Sequence, residues 1–157
     1  MKKQIKYPWL EEMWVKSSKF SPDSTKTAAV LFDPEEINLR ESYVEPLQSI
    51  CNGFPGYNAV PNNNHPERLE RPEKYKWISH AERKLIALCA KTGMSTNNKG
   101  IYMHWFPCAE CAKSIIDAGI RMLICDKPDI KGDIAEFWHF KEALQMLTEA
   151  RVEIEYR

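Results

Sequence analysis

The sequence predicts an α/β protein, a three-layer α/β/α sandwich around a mixed five-stranded sheet. Five short runs of apolar or alternating residues are typical of strands, and segments with helical periodicity separate most of them. Strands joined by helical crossovers pack their helices against a largely parallel sheet. A length of 157 residues matches one ordinary domain, so we predict a single domain over residues 1–157.

The first half of the chain contains one predicted helix and two predicted strands. Pro8 pre-sets a first helical turn, and apolar residues at helical spacing predict a helix over 8–18. A short apolar run predicts a buried strand over 27–32. A weaker strand is predicted over 47–51, and Pro46 before it indicates a sheet edge, because proline cannot donate a ladder hydrogen bond.

The second half alternates helices with strands. Good helix formers dominate over 80–90, and Gly93 is placed to end that helix in a left-handed conformation. The later predicted elements are a strand over 101–106, a helix over 108–118, a strand over 120–125, a helix over 134–149 and a strand over 152–156. The predicted order is therefore αββαβαβαβ.

Composition and charge exclude several classes of protein. Hydrophobic residues make up 43% and charged residues 28%, which is a globular mixture, not that of a disordered chain or a coiled coil. Lys plus Arg and Asp plus Glu both number 22, so we expect no stable nucleic-acid binding. The longest apolar runs are far shorter than the ~18 residues of a membrane span, and the N-terminus shows no export signal. We therefore expect a cytoplasmic protein without membrane contact.

Residues 52–76 form a long segment with four prolines and two glycines in 25 positions. Segments of this length inside a compact domain are usually functional or mobile. A solvated connector is the other interpretation, and the composition of the segment leaves both open.

The cysteines are informative through their spacing. Five cysteines without an export signal argue against a disulfide framework, and only Cys108 and Cys111 are close enough to act as a pair. Two thiolates three positions apart in a first helical turn can bind one metal ion, and the helix dipole favours their ionised form. His80, at the start of a neighbouring helix, can supply a third ligand. Three protein ligands leave one zinc position open, as in catalytic sites, so we expect one Zn²⁺ per chain.

Glu82 follows His80 by two residues, and both side chains can face the metal if His80 caps the helix. A carboxylate beside the metal can take a proton from water and return it, which makes Glu82 a candidate general acid/base. A structural zinc site with Glu82 as an ordinary helix-start carboxylate is the alternative. Thioredoxin-like chemistry is disfavoured, because His80 and Glu82 precede the cysteine pair.

Two short motifs open the helices that carry these residues. They are His80-Ala81-Glu82 and Pro107-Cys108-Ala109-Glu110-Cys111, in the order H-x-E…P-C-x-x-C that is the signature of zinc deaminases. At these residues the chain resembles the cytidine deaminase superfamily. Three further stretches carry the resemblance: Asn52-Gly53-Phe54-Pro55, Lys74-Tyr75-Lys76-Trp77 and Phe106 before Pro107. Within this superfamily the chain resembles the deoxycytidylate (dCMP) deaminases, over residues 16–125.

The resemblance implies hydrolytic deamination of dCMP to dUMP in pyrimidine nucleotide metabolism, by attack on C4 of the cytosine ring, protonation of N3 and loss of ammonia. By similarity, His80, Cys108 and Cys111 are the zinc ligands and Glu82 is the proton shuttle. The implied substrate contacts are Asn52 at the sugar, Tyr75 beside the nucleotide, the Ala81 amide at the pyrimidine carbonyl and the Phe106 carbonyl at the leaving amino group. The resemblance also suggests a homo-oligomer and control by dCTP and dTTP.

The chain departs from the family pattern at two positions. Lys84 stands where the family commonly has asparagine, in His-Ala-Glu-x-Asn. Many members carry extra metal-binding residues in the loop after Asn-Gly, and His65 is the only such side chain here. We therefore expect no second zinc.

No motif identifies the phosphate ligands. Arg68, Arg71 and Lys74 are candidates by position, and solvated loop charges are the alternative for each. Trp138 and His139 are expected as a core and a surface residue, not as groups that stack on a base.

Two other functions stay open. The spacing of the zinc motif also permits a deaminase that acts on another cytosine- or adenine-containing substrate, a nucleoside or a nucleic acid. Net zero charge counts against the nucleic acid. The other alternative is a non-catalytic zinc-stapled interaction module, against which Glu82 and the open coordination position both argue.

Overall fold

The computed structural model describes residues 5–22, 24–39, 44–54 and 66–157. Within these ranges the strands are β1 (Ala28–Phe32), β2 (Pro46–Cys51), β3 (Gly100–Tyr102), β4 (Met122–Cys125) and β5 (Glu153–Tyr156). The helices are α1 (Pro8–Ser18), α2 (Glu35–Leu39), α3 (Lys74–Trp77), α4 (Ala81–Thr92), α5 (Ala109–Asp117), α6 (Asp133–Trp138) and α7 (Phe140–Glu149). Pro66–Leu69 forms a 3₁₀ turn.

The described strands form one sheet in the order β2-β1-β3-β4-β5, which confirms the mixed five-stranded sheet. β1 runs antiparallel to β2 and β3, whereas β3, β4 and β5 are parallel. β1 therefore runs against the other four described strands. β2 lies at one edge of the sheet, as Pro46 predicts.

Alternating side chains of the strands build two apolar cores, one on each face of the sheet. On one face, Val30 and Phe32 of β1 pack with Trp14 of α1. On the other face, Leu31 packs in a core to which α4, α5 and α7 contribute Leu85, Ala112, Ile115, Ala143 and Leu147. Helices thus cover both faces, which confirms the three-layer sandwich.

A polar network holds α1 against the ends of β3 and β5. The carboxylate of Glu11 accepts hydrogen bonds from the Tyr102 hydroxyl, from His104 (2.8 Å) and from Arg157 (2.9 Å). The His104 ring also stacks on Trp14, with ring centroids 3.3 Å apart. Because Arg157 directly follows β5, the network joins the first helix to the last strand.

The structure differs from the predicted elements in its short helices and in one helix break. α2, α3 and the 3₁₀ turn have four or five residues each, too few for a periodic apolar pattern. The predicted helix over 134–149 is two helices, because His139 adopts a left-handed backbone conformation (φ 54°). The predicted strand over 101–106 ends at Tyr102.

None of the described helices is long and apolar enough to cross a membrane.

Gly100 allows the close approach of a ring between β1 and β3. Phe32 pairs with Gly100 across the two strands, and the Phe32 ring covers the glycine. A Cβ atom at position 100 would lie 2.3 Å from ring atom Cζ of Phe32. Any side chain at position 100 must therefore displace the ring from the core on the α1 face.

Replacing Gly100 with alanine is expected to lower the free energy of unfolding by about 1–3 kcal/mol, the usual cost of an added carbon in a packed core. Urea unfolding followed by circular dichroism measures this change. The Phe32→Leu variant provides the control, because leucine leaves more room above position 100. The double variant should lose less than the sum of the two single losses, and strictly additive losses would show that the ring is not the obstacle.

Candidate active site

Two helix N-termini bring the candidate metal ligands together. His80 caps α4 and Cys108 caps α5, each with an extended backbone (ψ 151° and 168°). Cys111 lies in the first turn of α5. The two helices pack against each other on the same face of the sheet. Their first turns, and the positive ends of their dipoles, are therefore adjacent.

The donor atoms have the spacing of a zinc site. Nδ1 of His80 lies 3.6 Å from Sγ of Cys108 and 3.4 Å from Sγ of Cys111. All three donor atoms lie within 4.8 Å of one another, and no fourth described residue joins the group. Tetrahedral zinc, with bonds of ~2.3 Å to sulfur and ~2.0 Å to nitrogen, holds nitrogen and sulfur about 3.5 Å apart. The three residues therefore fit Zn²⁺. His65, considered for a second metal, lies outside the described residues.

A hydrogen bond between the two cysteine side chains shifts their pKa values in opposite directions. The hydrogen bond with Cys111 lowers the pKa of Cys108 from its ordinary value to about 4, against the opposing effect of burial. The same hydrogen bond, together with burial, raises the pKa of Cys111. The hydrogen bond with Cys108 raises the pKa of His80. Because cysteines bind metal as thiolates, zinc binding would require Cys111 to lose its proton.

Glu82 lies in the first turn of α4 with only 5% of its surface exposed. Burial raises the pKa of its carboxyl group, and the nearby His80 opposes this shift only in part. A raised pKa brings the carboxyl group closer to the range in which it can both accept and return a proton at neutral pH. Glu82 is therefore a buried carboxyl group and not a solvated helix-start carboxylate. Its role as a general acid/base stays a prediction.

The Asn52-Gly53 segment is tied to the residue that precedes the histidine ligand. Backbone hydrogen bonds join Gly53 and Ser79 in both directions, at 3.1 and 2.8 Å. Asn52 is 4% exposed, and its side-chain oxygen accepts a hydrogen bond from the hydroxyl of Ser21. The bridge brings the predicted sugar contact to the start of α4, and no sequence signal predicts it.

The backbone groups expected to contact the base lie beside the ligands. Ala81 is the first residue of α4, and a helix N-terminus leaves its first N–H groups without an intrahelical acceptor. Phe106 precedes Cys108 by two residues, and its ring packs against Phe140 at 5.8 Å. Both Ala81 and Phe106 are buried.

Trp138 also belongs to this region, and no sequence signal predicts its position beside His80. It is expected in the core, yet it is only partly buried and lies edge-on to the His80 ring, with centroids 5.1 Å apart. The rings of Tyr75 and Phe137 lie 5.5 and 4.7 Å from the same indole. The helix break at His139 ends α6 directly after Trp138, and histidine is a weak signal for such a break compared with glycine. His139 itself is exposed, as predicted.

The three candidate phosphate ligands have different environments. The guanidinium of Arg68 lies 3.9 Å from the centre of the Trp77 ring. Arg71 is exposed. Lys74 is 4% exposed, and its ammonium donates a hydrogen bond to the Thr25 hydroxyl at 2.9 Å. Their contact with phosphate stays a prediction.

Comparison with known proteins identifies relatives through this region. A family model described as the cytidine and deoxycytidylate deaminase zinc-binding region matches residues 49–127. Deoxycytidylate deaminase from Pongo abelii is 36% identical over 77 residues, which are 44% of this chain and 42% of that protein. ComE operon protein 2 from Bacillus subtilis is 48% identical over 42 residues, 27% of this chain and 22% of that protein. The chain thus matches less than half the length of these relatives.

A solved structure matches the whole chain at lower identity. The dCMP deaminase from the cyanophage S-TIM5, in complex with dCMP and dUMP, has a TM-score of 0.65 and is 19% identical. The match covers 100% of this chain and 99% of that chain. The two proteins therefore share a fold.

We expect one zinc ion per chain, because a single group of three ligands has workable spacing among the described residues. Cys108→Ala and Cys111→Ala should each lose the metal, as two ligands hold zinc far more weakly than three. Elemental analysis of purified, dialysed protein measures the zinc content. Cys125→Ala is the matched control, since Cys125 is buried on β4 outside the ligand group and its replacement should retain zinc. Two zinc ions per chain, or full zinc in Cys108→Ala, would contradict the assignment.

Proposed function

Because the chain belongs to the cytidine and deoxycytidylate deaminase family, we propose that it is a zinc-dependent deaminase that converts dCMP to dUMP and ammonia. The observation that carries the proposal is the group of His80, Cys108 and Cys111, with the buried carboxyl group of Glu82 beside it. Three ligands leave zinc one open position, which a catalytic site needs and a structural site does not.

The proposed chemistry divides between the metal and the protein. Bound zinc supplies a Lewis acid that makes water a better nucleophile at neutral pH. Glu82 accepts a proton from the attacking water and donates it to N3 of the cytosine ring. After attack at C4, Glu82 accepts the second proton of that water from the new C4 hydroxyl and donates it to the amino group. The amino group leaves as ammonia and the C4 oxygen becomes a carbonyl, so one water is consumed and one ammonia is released. Burial of Glu82 supports this role, because it keeps the pKa of the carboxyl group raised.

The substrate contacts follow from the same arrangement. We propose that the Ala81 amide binds the pyrimidine carbonyl, that the Phe106 carbonyl accepts a hydrogen bond from the amino group, and that Asn52 binds the sugar. Tyr75, which is 39% exposed beside Trp138, would lie next to the nucleotide. The bridge between Gly53 and Ser79 supports the sugar assignment, because it ties Asn52 to the start of α4.

A free nucleotide is the substrate that the charge of the chain favours. Lys plus Arg and Asp plus Glu are equal, and a few cationic side chains can hold one phosphate without a basic surface. The name of the Pongo abelii relative and the dCMP and dUMP complex of the cyanophage enzyme support the same substrate. Arg68, Arg71 and Lys74 stay proposed phosphate ligands. A homo-oligomer, control by dCTP and dTTP and a cytoplasmic location stay predictions.

Glu82→Gln should retain fold and zinc but lose about 10²- to 10⁴-fold in turnover, because glutamine cannot transfer the proton. Ammonia release and zinc content, measured on the same preparation, separate chemistry from metal loss. Glu110→Gln is the control, because Glu110 is an exposed glutamate in the first turn of α5, and it should keep normal activity. A rate close to normal in Glu82→Gln would show that the proton is carried by another group.

Ammonia release from dCMP, deoxycytidine and single-stranded DNA, compared side by side, tests the substrate. We expect dCMP to react fastest, and we expect Asn52→Ala to lower kcat/KM for dCMP and deoxycytidine alike by about 10-fold through the lost sugar contact. Faster turnover of deoxycytidine or DNA would contradict the monophosphate substrate even if the zinc chemistry is correct. No ammonia release from any of the three would favour the non-catalytic zinc module.

A further inference from the structure

Lys84 lies one turn beyond the histidine ligand on α4. Its backbone N–H donates a hydrogen bond to the carbonyl oxygen of His80 at 3.1 Å. Residues four positions apart share one face of a helix, so the Lys84 side chain leaves α4 on the same side as the ligand.

The ammonium group of Lys84 is partly buried and has no carboxylate partner among the described residues. Nζ donates a hydrogen bond to the backbone carbonyl of Phe54 at 2.8 Å. None of the ion pairs formed among the described residues includes Lys84. An ammonium group has three donors, so a carbonyl oxygen satisfies only part of its capacity. Burial also lowers the pKa of Lys84, which indicates that its charge is poorly solvated.

Lys84 also contacts the segment assigned to sugar binding. Phe54, whose carbonyl it binds, follows Asn52 and Gly53 directly. A Cβ atom at Gly53 would lie 3.6 Å from Nζ of Lys84, so the ammonium lies close to the backbone of Gly53. The cation therefore lies between the start of α4 and the strip of backbone that carries Asn52.

From this position we propose that Lys84 is part of the anion subsite of the active site and binds the phosphate of a cytosine mononucleotide. The inference rests on the proposed function, which supplies the base and sugar positions. A sugar bound at Asn52 would carry its phosphate next to this segment, where the ammonium would gain the anionic partner that it lacks among the described residues. The bond would be charge-assisted and stronger than one to a neutral group.

A purely structural role for Lys84 is the competing explanation. A neutral donor could bind the Phe54 carbonyl equally well, and it would avoid the penalty for removing a charge from water. The two roles differ in a measurable way. A structural tie affects every ligand of the site, whereas an anion subsite affects only ligands that carry phosphate.

Equilibrium binding of dUMP and deoxyuridine to the zinc-loaded protein, measured by calorimetry, separates the two roles. Lys84→Met removes the charge and retains the length of the side chain, and Lys84→Arg restores the charge. Lys91→Met is the matched control, because it removes one positive charge from an exposed position two turns further along the same helix. Thermal unfolding and zinc content verify that each variant is folded and loaded. A second measurement compares kcat/KM for dCMP, which carries a phosphate, with kcat/KM for deoxycytidine, which does not.

We expect Lys84→Met to weaken dUMP binding about 10- to 100-fold and to leave deoxyuridine binding unchanged, with Lys84→Arg close to normal and Lys91→Met normal. Equal weakening of dUMP and deoxyuridine, or unchanged dUMP binding, would overturn the anion subsite while the proposed function stands. If the unmodified protein binds deoxyuridine as tightly as dUMP, both the monophosphate substrate and the anion subsite are wrong.

Discussion

The meeting of two helix N-termini is the constraint on which the rest of the structure depends. β2 and β3 both run opposite to β1, so their carboxyl ends lie at the same edge of the sheet. α4 follows β2 in the chain and α5 follows β3, and each helix therefore starts near that edge. In open α/β sheets this edge is where ligands bind. β2 and β3 are not neighbours in the sheet, because β1 lies between them. His80 and Cys108 can meet because these two strands nevertheless run in the same direction.

The same meeting accounts for the electrostatics of the site. Two adjacent helix N-termini concentrate partial positive charge, which favours anions in both first turns. The sulfur atoms of Cys108 and Cys111 and the carboxyl group of Glu82 lie at these two helix starts. The helix dipoles favour the charged form of each group, whereas burial disfavours it. A divalent cation bound at this point would add a direct attraction that favours the charged forms.

Much of this arrangement could be predicted from the sequence, because its signals are local. The Cys-x-x-Cys spacing, the carboxylate two residues after His80 and the glycine that ends α4 all lie within a few residues of the feature that they predict. The order of the main helices and strands is predicted for the same reason, because hydrophobic periodicity and the residues that end helices and strands are visible in short stretches of sequence. The resemblance to a family of zinc deaminases adds an expectation about the substrate, which periodicity and spacing do not provide.

The features that could not be predicted depend on contacts between distant parts of the chain. The direction of β1, the bridge from Gly53 to Ser79 and the position of Trp138 beside His80 each join segments with no shared sequence signal. The helix break at His139 belongs to the same class, because tertiary packing can impose a left-handed conformation where local preference is weak. Lys84 differs from these features, because the sequence already marks its position. Its departure from the family pattern is visible in the sequence, but its contact with the Phe54 carbonyl is not.

The order of the strands in the sheet also bears on how the protein folds. β3, β4 and β5 are neighbours both along the chain and in the sheet, so the C-terminal half can assemble through short-range contacts. The pairing of β1 with β3 closes a much longer loop, as Val30 with Tyr102 illustrates, and long loops close late because of their entropy. The three ligands lie outside that long loop closure, because His80 is separated from Cys108 and Cys111 by only 28 and 31 residues. The pairing of β4 with β5 spans a similar distance along the chain, as Met122 with Glu153 illustrates. The ligand group can therefore form without the pairing of β1 with β3, and bound zinc would stabilise the contact between α4 and α5 before that long loop closes.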